Sequence, residues 1–159
     1  MFIDSSLEIA DNTDVKLNNG VTAKLGNEID LRGDKAILDN ATVDLSAGEK
    51  MFLVIEVTAS FVGSGASYKF NLTTSTESAL TGGTTKDIWT SGNQGVAELV
   101  KGKRYIANLP EAEYHRFLGL RGTATGANVT TANINAFLTK DVTNWQGSAT
   151  RVPATDPAN

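Results

Sequence analysis

Few side chains in this 159-residue sequence have the types that catalysis requires. Its single histidine, His115, lies between Tyr114 and Arg116 at the predicted start of a strand. A nucleophile–base pair needs such a base held beside a serine, cysteine or threonine, and no motif of that kind surrounds it. We therefore predict a structural histidine that hydrogen-bonds a corner of the chain, and a protein that is not an enzyme.

Glu111 and Glu113 are the carboxylates that best suit acid–base chemistry of the kind used in glycoside hydrolysis. They follow Pro110, and acids in a proline corner are commonly just solvated, so a hydrolase is the least favoured functional hypothesis. One histidine and no cysteine argue against a zinc site. We predict no cofactor, although a calcium site built partly from backbone carbonyls stays open.

A carbohydrate-binding module is the main alternative function, because such modules often present an exposed aromatic platform on a β-sandwich. Tyr68 alternates with polar residues and is predicted to lie in the core. Trp145 belongs to a polar, proline-containing terminal segment. Trp89 is therefore the one plausible platform residue.

Charge is distributed unevenly along the chain. Residues 1–56 carry a net charge of −6 and residues 57–159 carry +2, giving −4 in total. This acidic balance argues against a nucleic-acid partner, which normally requires a dense basic face. No apolar run is long enough for a membrane helix, and the first ten residues do not have the pattern of a signal peptide. We expect synthesis in a cytoplasm and no membrane partner.

One basic cluster stands out in the second half of the sequence. Lys101, Lys103 and Arg104 are adjacent, and Arg116 and Arg121 are candidates to join them in the folded protein. The interpretation that we favour is a solvated hairpin tip.

Alternating apolar residues predict many short strands. The strongest are Met51–Thr58, Tyr68–Thr73 and Thr130–Thr139. Weaker strands are predicted at Asp87–Ser91, Val96–Val100, Arg104–Leu109 and Phe117–Arg121. Val15–Leu25 resembles a hairpin around a type I′ turn at Asn19-Gly20.

These segments give about eight strands, with turn signals roughly every 8 to 12 residues. That spacing predicts an all-β, eight-stranded antiparallel jelly-roll β-sandwich over residues 15–141, with an immunoglobulin-like sandwich as the competitor. Residues 1–14 are predicted to form an extended N-terminal arm, because their apolar side chains cannot be covered by so short a segment. Residues 142–159 are predicted to form an extended C-terminal tail.

Four segments resemble the capsid cement (decoration) proteins of tailed bacteriophages. They are the opening Met1-Phe-Ile-Asp with Leu7-Glu-Ile-Ala-Asp11, the Gly48-Glu49 turn before Leu53-Val-Ile-Glu-Val57, Arg116-Phe-Leu-Gly-Leu120 after the proline corner, and the closing Ala136-Phe-Leu-Thr-Lys-Asp141. The resemblance extends over about half of the chain. Residues 18–45 and the segment after Trp145 depart from the family pattern.

The resemblance implies a jelly-roll homotrimer on the capsid exterior of the virion, with no catalysis. Its partners would be the major capsid protein and further copies of itself, and its role would be to stabilise the expanded shell. Apolar side chains near both termini are then expected to contact the partner, since weak contacts are multiplied in a symmetric oligomer. These candidate interface residues are Phe2, Ile3, Leu7, Ile9, Trp145 and Val152.

Overall fold

The computed structural model describes residues 7–31, 50–140 and 142 of the chain. Its nine strands are β1 (Glu8–Asp14), β2 (Thr22–Asp30), β3 (Phe52–Val62), β4 (Ser67–Ser75), β5 (Lys86–Thr90), β6 (Gln94–Gly95), β7 (Arg104–Asn108), β8 (Phe117–Thr125) and β9 (Thr131–Thr139). A short 3-10 helix, Val96–Glu98, lies between β6 and β7. None of the helical turns in these described ranges is long and apolar enough to cross a membrane.

The strands form two antiparallel sheets. The first sheet has the order β1-β9-β3-β7, and the second has the order β2-β8-β4-β5 with the two-residue β6 also paired to β4. The predicted β-sandwich is therefore confirmed. Most successive strands belong to opposite sheets, an alternation that is compatible with a jelly roll. It differs from an immunoglobulin-like sandwich, which is the competing prediction.

The core lies between the two sheets and is built by period-two alternation. Leu53, Ile55 and Val57 of β3 are at most 1% exposed, and Tyr68, Phe70 and Leu72 of β4 face them from the second sheet with no exposed surface. Phe61 packs against Tyr68 and Phe70, with ring centroids 5.0 and 6.0 Å apart. The alternating apolar residues lie in the core, as the sequence predicts, because every second side chain of a strand points to the same face of the sheet.

The predicted hairpin at Val15–Leu25 is wrong. β1 and β2 lie in different sheets, where β1 pairs with β9 and β2 pairs with β8. The turn does form, but only Gly20 has a positive φ, of 78°. A type I′ turn needs positive φ at both central residues. The Val15 N–H instead donates to the Ala132 carbonyl, which holds the crossover connection against β9.

The strand predicted at Val96–Val100 is also wrong. Val96 and Leu99 are buried three residues apart, and the Leu99 N–H donates to the Val96 carbonyl at 3.1 Å. That spacing places both side chains on one side of a 3-10 turn. The neighbouring predictions at Asp87–Ser91 and Arg104–Leu109 are confirmed as β5 and β7.

The arm predicted over residues 1–14 is wrong for its second half. Glu8–Asp14 is an edge strand of the first sheet, and Ile9 has no exposed surface inside the core of its own chain. Gly26, with a φ of +71°, permits this packing, because a Cβ at that position would overlap the Ile9 carbonyl oxygen. Ile9 therefore finds cover between the two sheets and is not available to a partner.

The tail predicted from residue 142 also begins on the sandwich. Val142 is 7% exposed and packs with Val54 and Phe137 on the outer face of the first sheet. Phe2, Ile3, Trp145 and Val152 lie outside the described residues. The predictions for those four side chains therefore stay predictions.

Candidate interaction surfaces

The proline corner holds His115 against β4 and leaves the two glutamates exposed. The His115 N–H donates to Thr74 Oγ1 at 2.8 Å, so its main chain fastens the corner to β4. Glu111 and Glu113 are exposed on either side of Ala112. The corner itself is anchored by the buried Tyr114, whose hydroxyl donates to the Pro110 carbonyl at 2.6 Å. These contacts give the corner a structural role.

No group of three histidine, cysteine, aspartate or glutamate side chains that could hold a metal ion occurs within residues 7–31 and 50–140. Asp11 and Glu56 do line one open depression of about 400 Å³ on the outer face of the first sheet. Glu56 forms an ion pair there with Arg104, whose Nε and Nη2 donate to Glu56 Oε1 at 3.1 and 2.7 Å. Arg104 and Glu56 side chains are only 13% and 19% exposed, so this ion pair is partly desolvated.

The outer face of the first sheet also carries a second apolar cluster beside this ion pair. Val54 and Phe137 are buried there next to Val142, and the half-buried Phe52 and Ile106 lie at its margin. A β-sandwich needs only its inner faces to be apolar. The cluster therefore shows that apolar side chains pack on this half of the outer face as well as between the sheets.

The start of β1, the start of β3 and the end of β9 lie at one end of the sandwich. Glu8 of β1 is opposite Phe137, and Phe52 of β3 is opposite Thr139 near the end of β9. Leu7, Lys50 and Lys140 adjoin these residues, and we call this the entry end. Leu7 is partly buried against the main core. The chain therefore passes to both of its termini from the entry end.

β7 is an outer strand of the first sheet and pairs only with β3 within the described residues. Apart from the two-residue β6, the other outer strands β1, β2 and β5 each have a register shift in their pairing, whereas β7 pairs with β3 in unbroken register. Bulges and charges discourage pairing with a further strand. From Tyr105 to Asn108, β7 has neither.

In the antiparallel pair of β3 and β7, every second residue of β7 hydrogen-bonds to β3, and Ile106 is one of the residues in between, whose main chain does not. Val57 and Leu109 donate to the carbonyls of Lys103 and Met51, so every second residue between them bonds to β3. Tyr105 and Ala107 fall in that bonded set. The main-chain N–H and C=O of Ile106 consequently point away from the sheet.

The basic cluster predicted in the sequence is dispersed in the structure. Arg104 pairs with Glu56, and Lys103 lies 5.3 Å from the centre of the Tyr105 ring. Arg116 pairs with Asp30 near the entry end, at 2.8 Å, and Arg121 belongs to the second sheet. The prediction that Arg116 and Arg121 join the cluster is wrong, because the strands carry these side chains to different faces.

The outer face of the second sheet carries a different set of cations. Lys24 is directly opposite Arg121, which is in turn opposite Asn71 and next to the row that contains Lys69. Lys24 donates to Glu28 at 2.5 Å, and this hydrogen bond lowers the pKa of the Glu28 carboxyl. The sequence alone does not reveal this face, because its members come from three separate strands.

Trp89 does not form an exposed platform. It is opposite Leu72, whose side chain is in the core, and Trp89 itself is partly buried against that core. Its neighbourhood does form an open depression of about 420 Å³, which is lined by Lys69, Asn71, Asp87, Ile88, Trp89 and Thr90. The polar residues of this depression were missed at the sequence level, because alternation with core residues marks them only as solvent-facing.

Comparison with known proteins relates the chain to a protein family. No curated protein matches the chain. The family model described as Bbp16 matches residues 19–138, which contain β2 to β8 and nearly all of β9. Because this match covers about three quarters of the sequence, the chain belongs to the Bbp16 family.

Proposed function

We propose that this protein is a structural component of a virion, a capsid cement protein that binds the outer surface of the major capsid protein lattice and stabilises the shell. The sequence resemblance to decoration proteins suggests the role. The entry end, where the chain passes to both of its termini, is the structural observation that carries it. The protein acts by binding and has no catalytic step.

The entry end confines most of the candidate contact residues to one region. An extended chain spans at most about 3.6 Å per residue, so Phe2 and Ile3 lie within roughly 18 Å of Leu7. By the same limit Trp145 lies within about 11 Å of Val142. Leu7 and Val142 are both near Phe137, Leu7 through its neighbour Glu8 and Val142 through its own packing. The proposal therefore assigns the apolar residues of both termini to one partner surface.

Contact between copies is assigned to the β7 edge. An added strand would satisfy the outward-facing main-chain groups of Ile106 and extend the first sheet. The resemblance implies a homotrimer. In a homotrimer each copy would contact the shell through its entry end, and three linked weak contacts bind more tightly than one.

Binding to shells of the major capsid protein tests the proposal. The variant Phe2→Ser with Ile3→Ser changes the N-terminal residues and leaves β1 intact. The matched control is Val62→Ser with Val100→Ser, two exposed valines at the opposite end of the sandwich. Sedimentation with purified shells should show that the control still binds and that the N-terminal variant binds at least about tenfold more weakly, a loss of about 1.4 kcal/mol.

Equal shell binding by the two variants would contradict the assignment of the entry end. Absence of shell binding by the unmodified protein would contradict the cement role itself. Removal of residues 1–12 is a poorer experiment, because it destroys most of β1 and exposes the core around Ile9.

A further inference from the structure

We propose that the outer face of the second sheet is a binding site for an acidic polysaccharide, a chain that contains uronic-acid sugars. The site is centred on Lys69, Asn71 and Arg121 and is separate from the entry end. This inference goes beyond the capsid role and does not depend on it. It also differs from the sequence-based sugar hypothesis, which rested on Trp89.

Of the cations on this face, Lys24 pairs with Glu28, whereas the two central cations have no carboxylate partner among the described residues. Lys69 and Arg121 form no ion pair within the described ranges 7–31 and 50–140. Arg121 is also directly opposite Lys24, and like charges in that position destabilise a sheet. Two half-buried cations on neighbouring strands therefore hold an electrostatic potential that an anionic ligand would neutralise.

A hydrogen-bonded clamp fixes the amide of Asn71 beside these cations. Asp87 Oδ2 accepts from Asn71 Nδ2 at 2.6 Å, and Asp87 Oδ1 accepts from Thr73 Oγ1 at 2.7 Å. The carboxylate dictates which way the amide faces, since only its NH₂ group can donate. Asn71 is 7% exposed, and its Oδ1 has no hydrogen-bond partner in the part of the chain that the structure describes. A buried acceptor without a donor carries a desolvation cost, which a hydroxyl that reached it would relieve.

The surrounding surface suits a sugar ring better than a simple anion. The open depression beside Lys69 and Asn71 measures about 420 Å³, within the range of roughly 300–1,000 Å³ for small-ligand sites. Ile88 and Trp89 contribute apolar surface to its wall, and Thr90 and Asp87 contribute hydrogen-bonding groups. A uronic acid offers a carboxylate for the cations, hydroxyls for the amide and carboxylate, and C–H groups for the apolar wall.

Other polyanions fit less well. Nucleic acid normally binds through several cations that follow its phosphates, whereas this face adds only two unpaired cations to a protein of net charge −4. The carboxylate of Asp87 would also repel a densely charged backbone. Uronic-acid chains space their charges one per sugar ring and place neutral hydroxyls between them.

Calorimetric titration with polygalacturonate tests the proposal, with dextran as the uncharged polysaccharide. The test variant is Lys69→Ala with Arg121→Ala. The matched control is Lys86→Ala with Lys101→Ala, which removes the same charge from two exposed positions outside the central cations of this face. We expect polygalacturonate to bind and dextran not to bind. The test variant should lose about tenfold or more in affinity, and the control less than about threefold.

Three results would overturn the inference: no binding of polygalacturonate, equal binding of dextran, or equal losses in the test and control variants. Equal losses would show attraction to overall charge alone. Tighter binding of single-stranded DNA than of polygalacturonate would also overturn it, in favour of a nucleic-acid surface. Shell binding by the test variant should be unchanged, which separates this site from the capsid role.

Discussion

Gly122 on β8 lies directly against the side chain of Tyr68 on β4. A Cβ built on Gly122 would overlap the Tyr68 hydroxyl and would lie 2.8 Å from the ring carbon that bears it. The Tyr68 hydroxyl is thereby able to reach the Val15 carbonyl and donates to it at 2.8 Å. A glycine on one strand thus allows a tyrosine on the next to fasten the β1–β2 crossover.

Replacement of Gly122 by alanine should destabilise the protein by about 1–3 kcal/mol, because the added methyl group must displace a buried ring. Gly95→Ala is the matched control, since a Cβ there would meet nothing within 4 Å and the backbone φ is −59°. Urea unfolding measures both changes. Equal midpoints for the two variants would show that the ring moves aside without cost.

Tyr68 should also govern stability at high pH. Burial, with a smaller contribution from the Asp14 charge, raises the pKa of the Tyr68 hydroxyl above its usual value. The folded state therefore holds the proton more tightly than the unfolded state. The contribution of the Tyr68 hydroxyl to the free energy of unfolding is fully present below the ordinary tyrosine pKa of about 10, and it decreases as the pH rises above that value.

Tyr68→Phe should remove part of that alkaline loss and should lower stability by about 1–3 kcal/mol at neutral pH, because the buried Val15 carbonyl loses its donor. Tyr105→Phe is the control, since the Tyr105 hydroxyl has no hydrogen-bond partner among residues 7–31, 50–140 and 142. Melting temperatures between pH 7 and about pH 11 measure both effects. The same pH slope in the wild type and Tyr68→Phe would contradict the assignment to Tyr68.

Particular residues show how far the sequence predicts this fold. The alternation of apolar residues correctly predicted that Leu53, Ile55 and Val57 are buried, because successive side chains of a pleated strand point to opposite faces. A glycine that interrupts a strand pattern, as Gly122 does, is typical of a bulge or of a close neighbour, and the structure shows the neighbour to be Tyr68. The prediction of an N-terminal arm misplaced Ile9, because the residues that cover Ile9 are distant in sequence and come from both sheets.

The polar surfaces were the least predictable part. Lys69 and Arg121 are 52 positions apart in the sequence, and only the pairing of β4 with β8 brings them together. Likewise, the absence of a bulge at β7 depends on how β7 aligns with β3, and the sequence of one strand does not predict that alignment. The candidate sites that depend on such pairings therefore had to come from the structure.

Ile9→Ala should destabilise the isolated subunit by about 2–4 kcal/mol, because it opens a cavity in the core. Phe2→Ala should leave subunit stability within about 0.5 kcal/mol if Phe2 serves a partner surface. Chemical denaturation of the protein alone distinguishes the two positions. An equally large loss for Phe2→Ala would show that Phe2 packs on its own subunit, which would remove it from the proposed shell contact.

Ile106→Pro should reduce self-association, because proline removes the outward-facing N–H and cannot pair with a further strand. The side chain of Ile106 is partly buried at the margin of the second apolar cluster, so Ile106→Thr is the control, which keeps the N–H and β-branching. Light scattering at micromolar concentration should give a trimer for wild type and the threonine variant, and monomer for the proline variant. A strictly monomeric wild type would contradict assembly through β7.

The Glu56–Arg104 pair should stabilise the first sheet more than a surface ion pair does. The two residues are directly opposite on β3 and β7, and two guanidinium N–H groups converge on one carboxylate oxygen. Their low exposure limits screening by solvent, so Glu56→Gln should cost about 2 kcal/mol. In the half-exposed pair Lys16–Asp14, the corresponding Asp14→Asn change should cost less than about 1 kcal/mol. A double-mutant cycle with Arg104→Met isolates the coupling, and a coupling energy near zero would show that the strand pairing alone holds β7 in place.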